Sequence, residues 1–225
     1  KLHVPIAHVE AGLRSFNKSM PEEINRIVCD HCSKWLFCPT ATAVANLQRE
    51  GFATGVRDRP SVDHPLVMNC GDVMYDNSMH FAEWAAERSS LLDTLGLVSD
   101  GFMLVTVHRD SNTDDPVRFN AIFRSLLDLH LEHKLPVVLP LHPRTRKMMD
   151  ATLAPELRLA IAEASGFHLI PPTGFLDMIA LERNAKLVVT DSGGVQKEAY
   201  FFGKPCVILR LETEWVELVA HGQAV

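Results

Sequence analysis

The sequence lacks a surplus of basic residues: 22 Lys and Arg stand against 28 Asp and Glu, which gives a formal net charge of -6. Proteins that bind a nucleic-acid backbone neutralise its phosphates with basic side chains, so this balance argues against a DNA- or RNA-binding role. A run of about 18 apolar residues is also missing, which excludes a membrane-spanning helix. With 47% hydrophobic and 22% charged residues, the composition is that of an ordinary globular protein.

The five cysteines lack the even, clustered pattern of a disulfide framework, and an odd, scattered set favours the reducing cytoplasm. Cys29 and Cys32 have no second such pair at zinc-ligand spacing, so we expect no metal and no other cofactor. The opening residues 1–5 lack the apolar core of a signal peptide, and there is no initiator Met. We therefore expect a cytoplasmic protein of which this chain is a part.

Hydrophobic patterning predicts an α/β fold whose second part is the more regular. From residue 102 onward, strands are predicted at 102–107, 136–141, 168–170, 186–190 and 206–209, with helices at 117–133, 155–165, 175–184 and 194–202. Strands that alternate with helices in this way build β-α-β units around a parallel sheet.

The first part of the chain shows the same alternation, interrupted by loops. Strands are predicted at 4–9, 35–38 and 66–70, and helices from Pro21 onward, at 41–50 and at 72–87. We place the boundary between two units after the third of these strands, so that residues 1–75 form one domain segment and residues 76–225 form another.

Thr190-Asp191-Ser192-Gly193-Gly194 is the strongest local motif, and it lies between a predicted strand and a predicted helix. The two glycines let the backbone approach a ligand, Ser192 offers a hydroxyl, and the helix N-terminus favours an anion such as phosphate. Glu198 follows one helical turn later and could hold ribose hydroxyls. The alternatives are a tight turn without a ligand and, for Glu198, a solvated helix charge.

Two more predicted strands end in basic side chains, His108-Arg109 and His142. Doubly wound sheets place their ligand crevice at the carboxyl ends of the strands, where a histidine can contact a diphosphate or protonate a departing one. A loop histidine without a function is the alternative for His108. Three strand ends with anion-compatible groups together point to an anion site.

Glu10 and the pair Glu22-Glu23 are the acid-base candidates. An enclosed site can push the pKa values of paired carboxyls apart, so that one donates and one accepts a proton. Pairing with the helix dipole is the alternative for Glu22 and Glu23. Glu10 ends an apolar strand beside Gly12, which is a costly position for a carboxylate without a function or a partner such as Arg14.

The chain resembles, from end to end, the non-hydrolysing UDP-N-acetylglucosamine 2-epimerases. The motifs that carry the resemblance are His8-Val9-Glu10-Ala11-Gly12-Leu13-Arg14-Ser15, Met20-Pro21-Glu22-Glu23, Gly71-Asp72-Val73-Met74-Tyr75-Asp76, Val107-His108-Arg109, His142-Pro143, Thr190 to Ala199 and Thr213-Glu214. The resemblance implies a GT-B-like fold of two Rossmann-type domains, a UDP-sugar as partner and a homodimer. It also implies inversion of C2 of the sugar by elimination and re-addition of UDP.

The resemblance implies a role for each matching residue. Glu10 and Glu22 are expected to be catalytic carboxylates, and His108 is expected to assist departure and return of UDP. The remaining residues are expected to bind substrate: Ser192, Gly193 and Gly194 at the diphosphate, Glu198 at the ribose, Met178 near the uracil, and Arg14, Arg109 and His142 elsewhere on the substrate.

Two departures from the family pattern leave the sugar open. Lys197 replaces the first glutamate of the usual Gln-Glu-Glu, and Trp215 follows Thr213-Glu214 where Arg is commoner. Both resemble the branch that includes epimerases of UDP-2,3-diacetamido-2,3-dideoxyglucuronate.

In the family, most of an amino-terminal domain precedes the position of Glu10, so we expect this chain alone to be a poor catalyst. Three alternatives stay open: a hydrolysing epimerase, a GT-B glycosyltransferase, and a non-catalytic nucleotide-binding or assembly module.

Overall fold

The computed structural model describes residues 4–55, 58–222 and 224–225. Lys1 to His3, which belong to the segment considered above as a possible leader, lie outside the described residues. The chain divides into two compact units, Lys1–Asp76 with Glu212–Glu217, and Asn77–Leu211 with Leu218–Val225. The sequence placed its boundary between residues 75 and 76. The assignment of these parts to a catalytic and a UDP-binding domain stays a prediction.

The first unit contains a parallel sheet flanked by helices. Its elements are β1 (Ala7–Val9), α1 (Pro21–Cys32), β2 (Trp35–Cys38), α2 (Ala41–Arg49), β3 (Leu66–Asn69) and the start of α3 (Val73–Arg88). The strand order is β1-β2-β3, so each strand pairs with the next one along the chain. Thr40 caps α2, because its side chain accepts a hydrogen bond from the Ala43 N–H.

The second unit contains a larger parallel sheet in the order β6-β5-β4-β7-β8. Its elements are α4 (Leu91–Leu95), β4 (Met103–Thr106), α5 (Asp110–Thr113), α6 (Pro116–His133), β5 (Val137–Pro140), α7 (Pro143–Thr152), α8 (Pro155–Glu163), β6 (Phe167–Ile170), α9 (Phe175–Asn184), β7 (Leu187–Thr190), α10 (Gly193–Phe201), β8 (Cys206–Ile208) and α11 (Val216–Ala220), the last shared with the first unit.

The core of the second unit explains its continuous apolar strands. β4 is central in the sheet and buried along its whole length, as expected for a parallel strand covered on both faces. Phe119 and Phe123 of α6 are fully buried in the same cluster as Met103 and Val105 of β4. Burying a side chain of this size stabilises the fold by about 1.5 to 3 kcal/mol.

Periodicity predicted most of these elements, and β2 and α9 have the bounds that were predicted. Four helices are absent from the prediction: α4, α5, α7 and α11. The largest of them, α7, is mostly polar, and it begins directly after a strand with Pro143 in its first turn and the His142 ring accepting from the Arg144 N–H. Within the described ranges, no helix combines the length and apolar character needed to cross a membrane.

Gly12 closes the loop that carries Glu10. Its φ is +79°, and a Cβ at this position would lie 2.3 Å from the Ala43 carbonyl oxygen of α2. Its N–H donates to Asp30, and its carbonyl accepts from the side chain of Asn46. The loop therefore packs so closely on α2 that only glycine fits.

We predict that Gly12→Ala destabilises the fold by about 2 to 5 kcal/mol, because it adds the cost of a left-handed alanine to a clash with backbone. Gly71→Ala is the matched control, since Gly71 has a φ of +81° and a Cβ added there would meet no described atom within 4 Å. Its cost should be about 1 to 2 kcal/mol. Urea unfolding measures both values, and equal costs would contradict the packing argument.

Candidate functional site

Three neighbouring strand ends of the second unit bring the predicted anion-binding residues to one edge of the sheet. His108-Arg109 follows β4, His142 follows β5, and Ser192 follows β7; the order β5-β4-β7 makes these ends adjacent. The rings of His108 and His142 lie 5.5 Å apart, centroid to centroid. The structure therefore brings together the strand-end residues that the sequence singled out.

Asp191 joins two of these strand ends, and sequence reasoning gave it no role. Its side chain is fully buried and accepts hydrogen bonds from the N–H groups of His108 and Arg109, each at 2.9 Å. The Asn112 side chain donates to the same carboxylate at 2.9 Å and also to the Leu209 carbonyl. The loop after β4 is thus wrapped around a carboxylate that belongs to the loop after β7.

His108 is the partly exposed member of this cluster, with 34% of its side chain accessible and Nδ1 3.3 Å from Asp191 Oδ1. Burial lowers the pKa of His108, Asp191 opposes that change, and the nearby His142 and Arg109 add to it. His108 is therefore neutral at neutral pH. An anion bound beside the ring would raise its pKa, because it would favour the protonated form.

The amino end of α10 lies at the same sheet edge. Ser192 precedes the helix in extended conformation, and its N–H donates to the Thr190 hydroxyl at 2.9 Å. The N–H groups in the first turn of a helix have no acceptors within the helix. The N–H groups of Gly193 and Gly194 lie in the first turn of α10 and can therefore donate to an anion. This geometry suits a phosphate group.

The two remaining predicted residues of the second unit lie on neighbouring helices. Met178 lies in the first half of α9, half-buried, with its sulfur 3.8 Å from the Thr173 hydroxyl. Glu198 lies on α10, half-buried, where burial raises the pKa of its carboxyl. The carboxyl that interacts with Glu198 is that of Glu182 on α9.

In the first unit, Glu10 follows β1 with a φ of 67°, a left-handed conformation that is rare outside glycine. Such strain persists where surrounding structure enforces it, and it concentrates at functional sites. Here the enforcing contacts lie two residues on, where the Gly12 N–H donates to the buried Asp30. The carboxyl group is partly accessible to solvent.

Arg14, which the sequence predicts to bind substrate, has its guanidinium engaged inside the first unit. Arg14 is only 2% exposed, and its guanidinium donates from Nε and Nη2 to the two carboxylate oxygens of Glu50, each at 2.7 Å. Nη1 lies 2.8 Å from Asp30 and donates to the Leu13 carbonyl. Because every face of the guanidinium is used inside the fold, Arg14 holds the loop of Glu10 in place.

The structure also separates the two glutamates at the start of α1. Glu23 is buried and accepts from the N–H groups of Ser15 and Phe16 and from Arg26. Burial opposes ionisation, but these hydrogen bonds outweigh it and lower the pKa of Glu23. Glu23 therefore closes the loop, whereas Glu22 is exposed in the first turn of the helix.

In the part of the chain that the structure describes, no three His, Cys, Asp or Glu side chains are grouped to hold a metal ion. Cys29 and Cys32 are free thiols on α1.

The model of a protein family described as UDP-N-acetylglucosamine 2-epimerase matches residues 1–225, the whole chain. The chain belongs to this family. It is 51% identical over 223 residues to the UDP-2,3-diacetamido-2,3-dideoxy-D-glucuronate 2-epimerase of Pseudomonas aeruginosa, covering 99% of this chain and 56% of that protein. It is 35% identical to the UDP-N-acetylglucosamine 2-epimerase of Methanocaldococcus jannaschii, covering 99% of this chain and 58% of that protein.

Solved structures of family members share the fold. The crystal structure of the M. jannaschii UDP-GlcNAc 2-epimerase in complex with UDP-GlcNAc and UDP matches with a TM-score of 0.84 at 34% identity, covering 99% of this chain and 58% of that one. The Neisseria meningitidis enzyme bound to UDP-GlcNAc matches with a TM-score of 0.77 at 30% identity, covering 98% and 57%. The expected fold class, α/β and GT-B-like, is confirmed. The chain spans a little over half the length of these epimerases.

We predict that Asp191→Asn destabilises the chain by about 1 to 3 kcal/mol, because an amide cannot accept from all the donors that face the carboxylate. The substitution also removes the charge that holds the pKa of His108 up, so that pKa should fall further. Thermal unfolding and a histidine NMR titration measure the two effects. The exposed neighbour Asp110 provides the control Asp110→Asn; an unchanged His108 pKa in Asp191→Asn would contradict the assignment.

Proposed function

We propose that this chain belongs to an epimerase that inverts C2 of a UDP-linked N-acetylated sugar, and that its second unit binds the UDP moiety. The observation that carries the proposal is the sheet edge at which Asp191 ties His108 and Arg109 to the loop preceding α10. That edge offers helix-terminal N–H groups and a titratable imidazole, which are the groups that a diphosphate requires. Membership of the UDP-N-acetylglucosamine 2-epimerase family supports the assignment.

The proposed roles in the second unit follow from this geometry. The N–H groups at Gly193 and Gly194 bind diphosphate oxygens, Ser192 adds its hydroxyl, and Glu198 binds the ribose hydroxyls. Arg109 and His142 add positive charge or donors at the same edge. Met178, on the helix before β7, is proposed to lie near the uracil.

The chemical step needs two kinds of assistance. In the forward elimination, a carboxylate takes the proton from C2 as the bond between C1 and the UDP oxygen breaks, which leaves a C1–C2 double bond and free UDP. On return, the UDP oxygen rebonds to C1 while a carboxylic acid delivers a proton to the opposite face of C2. Because the two faces require two proton-transfer groups, we assign them to Glu10 and Glu22.

His108 is proposed to stabilise the charge on the departing diphosphate. Its neutral ring in the ligand-free chain becomes a better proton carrier once the negative diphosphate raises its pKa. The group is thus charged when UDP is bound as a leaving group, which is when the charge is needed.

The identity of the sugar has two candidates. UDP-N-acetylglucosamine is the substrate named for most of the relatives, including the M. jannaschii enzyme. The higher identity of 51% to the P. aeruginosa enzyme favours UDP-2,3-diacetamido-2,3-dideoxyglucuronate. Both candidates carry the same bond changes at C1 and C2. A homodimer and a cytoplasmic location remain predictions from the sequence.

We predict that binding of UDP-N-acetylglucosamine is coupled to proton uptake by His108. The ligand's diphosphate is doubly esterified and does not titrate near neutrality, whereas the His108 pKa lies below its ordinary value when free and higher when bound. Affinity should therefore rise as the pH falls through the pKa of His108 in the complex. If binding raises that pKa by about one unit, the gain approaches about tenfold only at pH values below both the free and the bound pKa. Calorimetry in buffers of different ionisation enthalpy measures the protons taken up.

His108→Gln should abolish that uptake and leave binding weak at all pH values. The exposed His133 on α6 provides the matched control His133→Gln, which should behave like the wild type. Proton uptake that persists in His108→Gln would assign it to another group. Absence of UDP binding at millimolar ligand in a folded chain would overturn the proposed binding site.

We predict that Glu10→Gln and Glu22→Gln each slow exchange at C2 by about 10²- to 10⁴-fold, because each removes one proton-transfer group. Their effect on UDP affinity should be small, since the proposed UDP-binding residues all lie in the other unit. The measurement is deuterium incorporation at C2 in D₂O, by NMR, with both candidate sugars and with the protein that carries this chain. Glu87→Gln, an exposed change on α3, is the control.

The same NMR experiment separates the alternatives. Free N-acetylmannosamine together with UDP would indicate a hydrolysing epimerase, and sugar transferred to an acceptor would indicate a glycosyltransferase. Binding of UDP without any exchange, and unaffected by either glutamate substitution, would indicate a non-catalytic nucleotide-binding module.

A further inference from the structure

Glu182 on α9 is a buried carboxyl that no role assigned above explains. Its exposed fraction is 0%, and neither of its carboxylate oxygens receives a hydrogen bond from a donor among the described residues. A buried, ionised carboxyl without donors would be strongly destabilising, so Glu182 is the kind of group that keeps its proton.

The partner of Glu182 is Glu198 on the adjacent helix α10. The two carboxyls interact across the contact between α9 and α10. Two carboxyl groups can hydrogen bond only when a proton lies between them. Burial raises the pKa of Glu182 well above its ordinary value, and the charge of Glu198 raises it further.

Glu198 is the member of the pair that ionises first. Burial raises the pKa of Glu198, while the hydrogen bond from Glu182 and the charge of Lys197 lower it. Of the two carboxyls, Glu182 is therefore the one that keeps its proton longer and can donate it to Glu198.

The other titratable side chains on α9 and on the elements packed against it are hydrogen bonded to other residues, neutral or exposed to solvent. Arg183 donates to the Ala82 carbonyl, and Asp177 accepts from Ser89 at 2.7 Å. Burial raises the pKa of Cys206 on β8 to about 12, so its thiol is neutral. The charged side chains in the second half of α3 and on α4 are exposed: Glu83, Glu87, Arg88 and Asp93.

We propose that Glu182 is a positioning residue, whose protonated carboxyl donates to Glu198 and holds it as the carboxylate that accepts the ribose hydroxyls of the nucleotide. The inference rests on the proposed UDP site, in which Glu198 contacts the ribose. Glu182 itself is too deeply buried to touch the ligand. Its effect on binding passes through the orientation and charge of Glu198.

The proposal predicts different effects for two substitutions at position 182 and for a change of pH. Glutamine at position 182 keeps a donor of nearly the same shape and cannot lose a proton. Methionine fills the space but has no donor. At high pH the natural pair loses its shared proton, and two ionised carboxyls then repel each other, so affinity for the ribose hydroxyls should fall.

The experiment compares UDP with 2′,3′-dideoxy-UDP, which lacks the hydroxyls, by calorimetry on the wild type, Glu182→Gln and Glu182→Met. The wild type and Glu182→Gln should prefer UDP by about tenfold or more, the worth of hydrogen bonds to a charged group. Glu182→Met should lose most of that preference while binding dideoxy-UDP as the wild type does. Glu163→Gln, an exposed carboxyl on α8, is the control and should leave both affinities unchanged.

The pH dependence of the preference for UDP over dideoxy-UDP tests the positioning role, because a residue that only stabilised the fold would not change it. The wild-type preference for UDP over dideoxy-UDP should decline as the pH rises through the raised pKa of Glu182, and Glu182→Gln should show no decline. This comparison also holds if Glu182→Met fails to fold. Identical profiles for the wild type and Glu182→Gln, or an unchanged preference in a folded Glu182→Met, would overturn the proposal.

A carboxyl NMR titration of the ligand-free chain distinguishes this failure from failure of the proposed function. A shared proton should appear as one glutamate that titrates well above its ordinary pKa and is lost in Glu182→Gln. If wild-type protein shows that signal but binds no UDP, the UDP site and the ribose role fail while the proton sharing stands. If UDP binds but no raised titration is found, the positioning role of Glu182 fails alone.

Discussion

The candidate UDP site depends on the hydrogen bonds that the buried carboxylate of Asp191 accepts. A charge without solvent must be surrounded by donors, and here the donors are the N–H groups of His108 and Arg109 and the side chain of Asn112. Satisfying the charge therefore forces the loop after β4 against the loop after β7. The same carboxylate opposes the effect of burial on the pKa of His108. The position of the histidine thus follows from one buried group, and its pKa reflects burial opposed by the charge of that group.

In the first unit, too, buried carboxylates hold a loop by accepting hydrogen bonds from its backbone. Asp30 is fully buried beside the Gly12 N–H, the His8 ring and the Arg14 guanidinium, and Glu23 is buried beneath the N–H groups of Ser15 and Phe16. Buried carboxylates paired with backbone donors are costly to disturb, because removal leaves several donors unsatisfied at once. The loop that carries Glu10 is held in this way, which explains how a left-handed glutamate is tolerated there.

Sequence patterns predicted the strands and helices, which depend on residues close together in the chain. They missed the side-chain partners of buried charged residues, because those partners are distant in sequence. Periodicity located the strands, and their parallel arrangement then put His108, His142 and Ser192 at one sheet edge. The structural role of Arg14 was missed because its partner Glu50 lies 36 residues away in the sequence. Asp191 and Glu182 were overlooked for the same reason: their donors and acceptors come from elements distant in sequence.

The pairing of Glu182 with Glu198 gives a physical reason for Lys197. The resembling family pattern has a glutamate at that position, next to the glutamate proposed to bind ribose. In this chain, a carboxylate at position 197 would add a second negative charge beside the ionised Glu198. The lysine instead lowers the pKa of Glu198 and favours its ionised form. Lysine at 197 and glutamic acid at 182 thus act in the same direction, since each keeps Glu198 available as an acceptor.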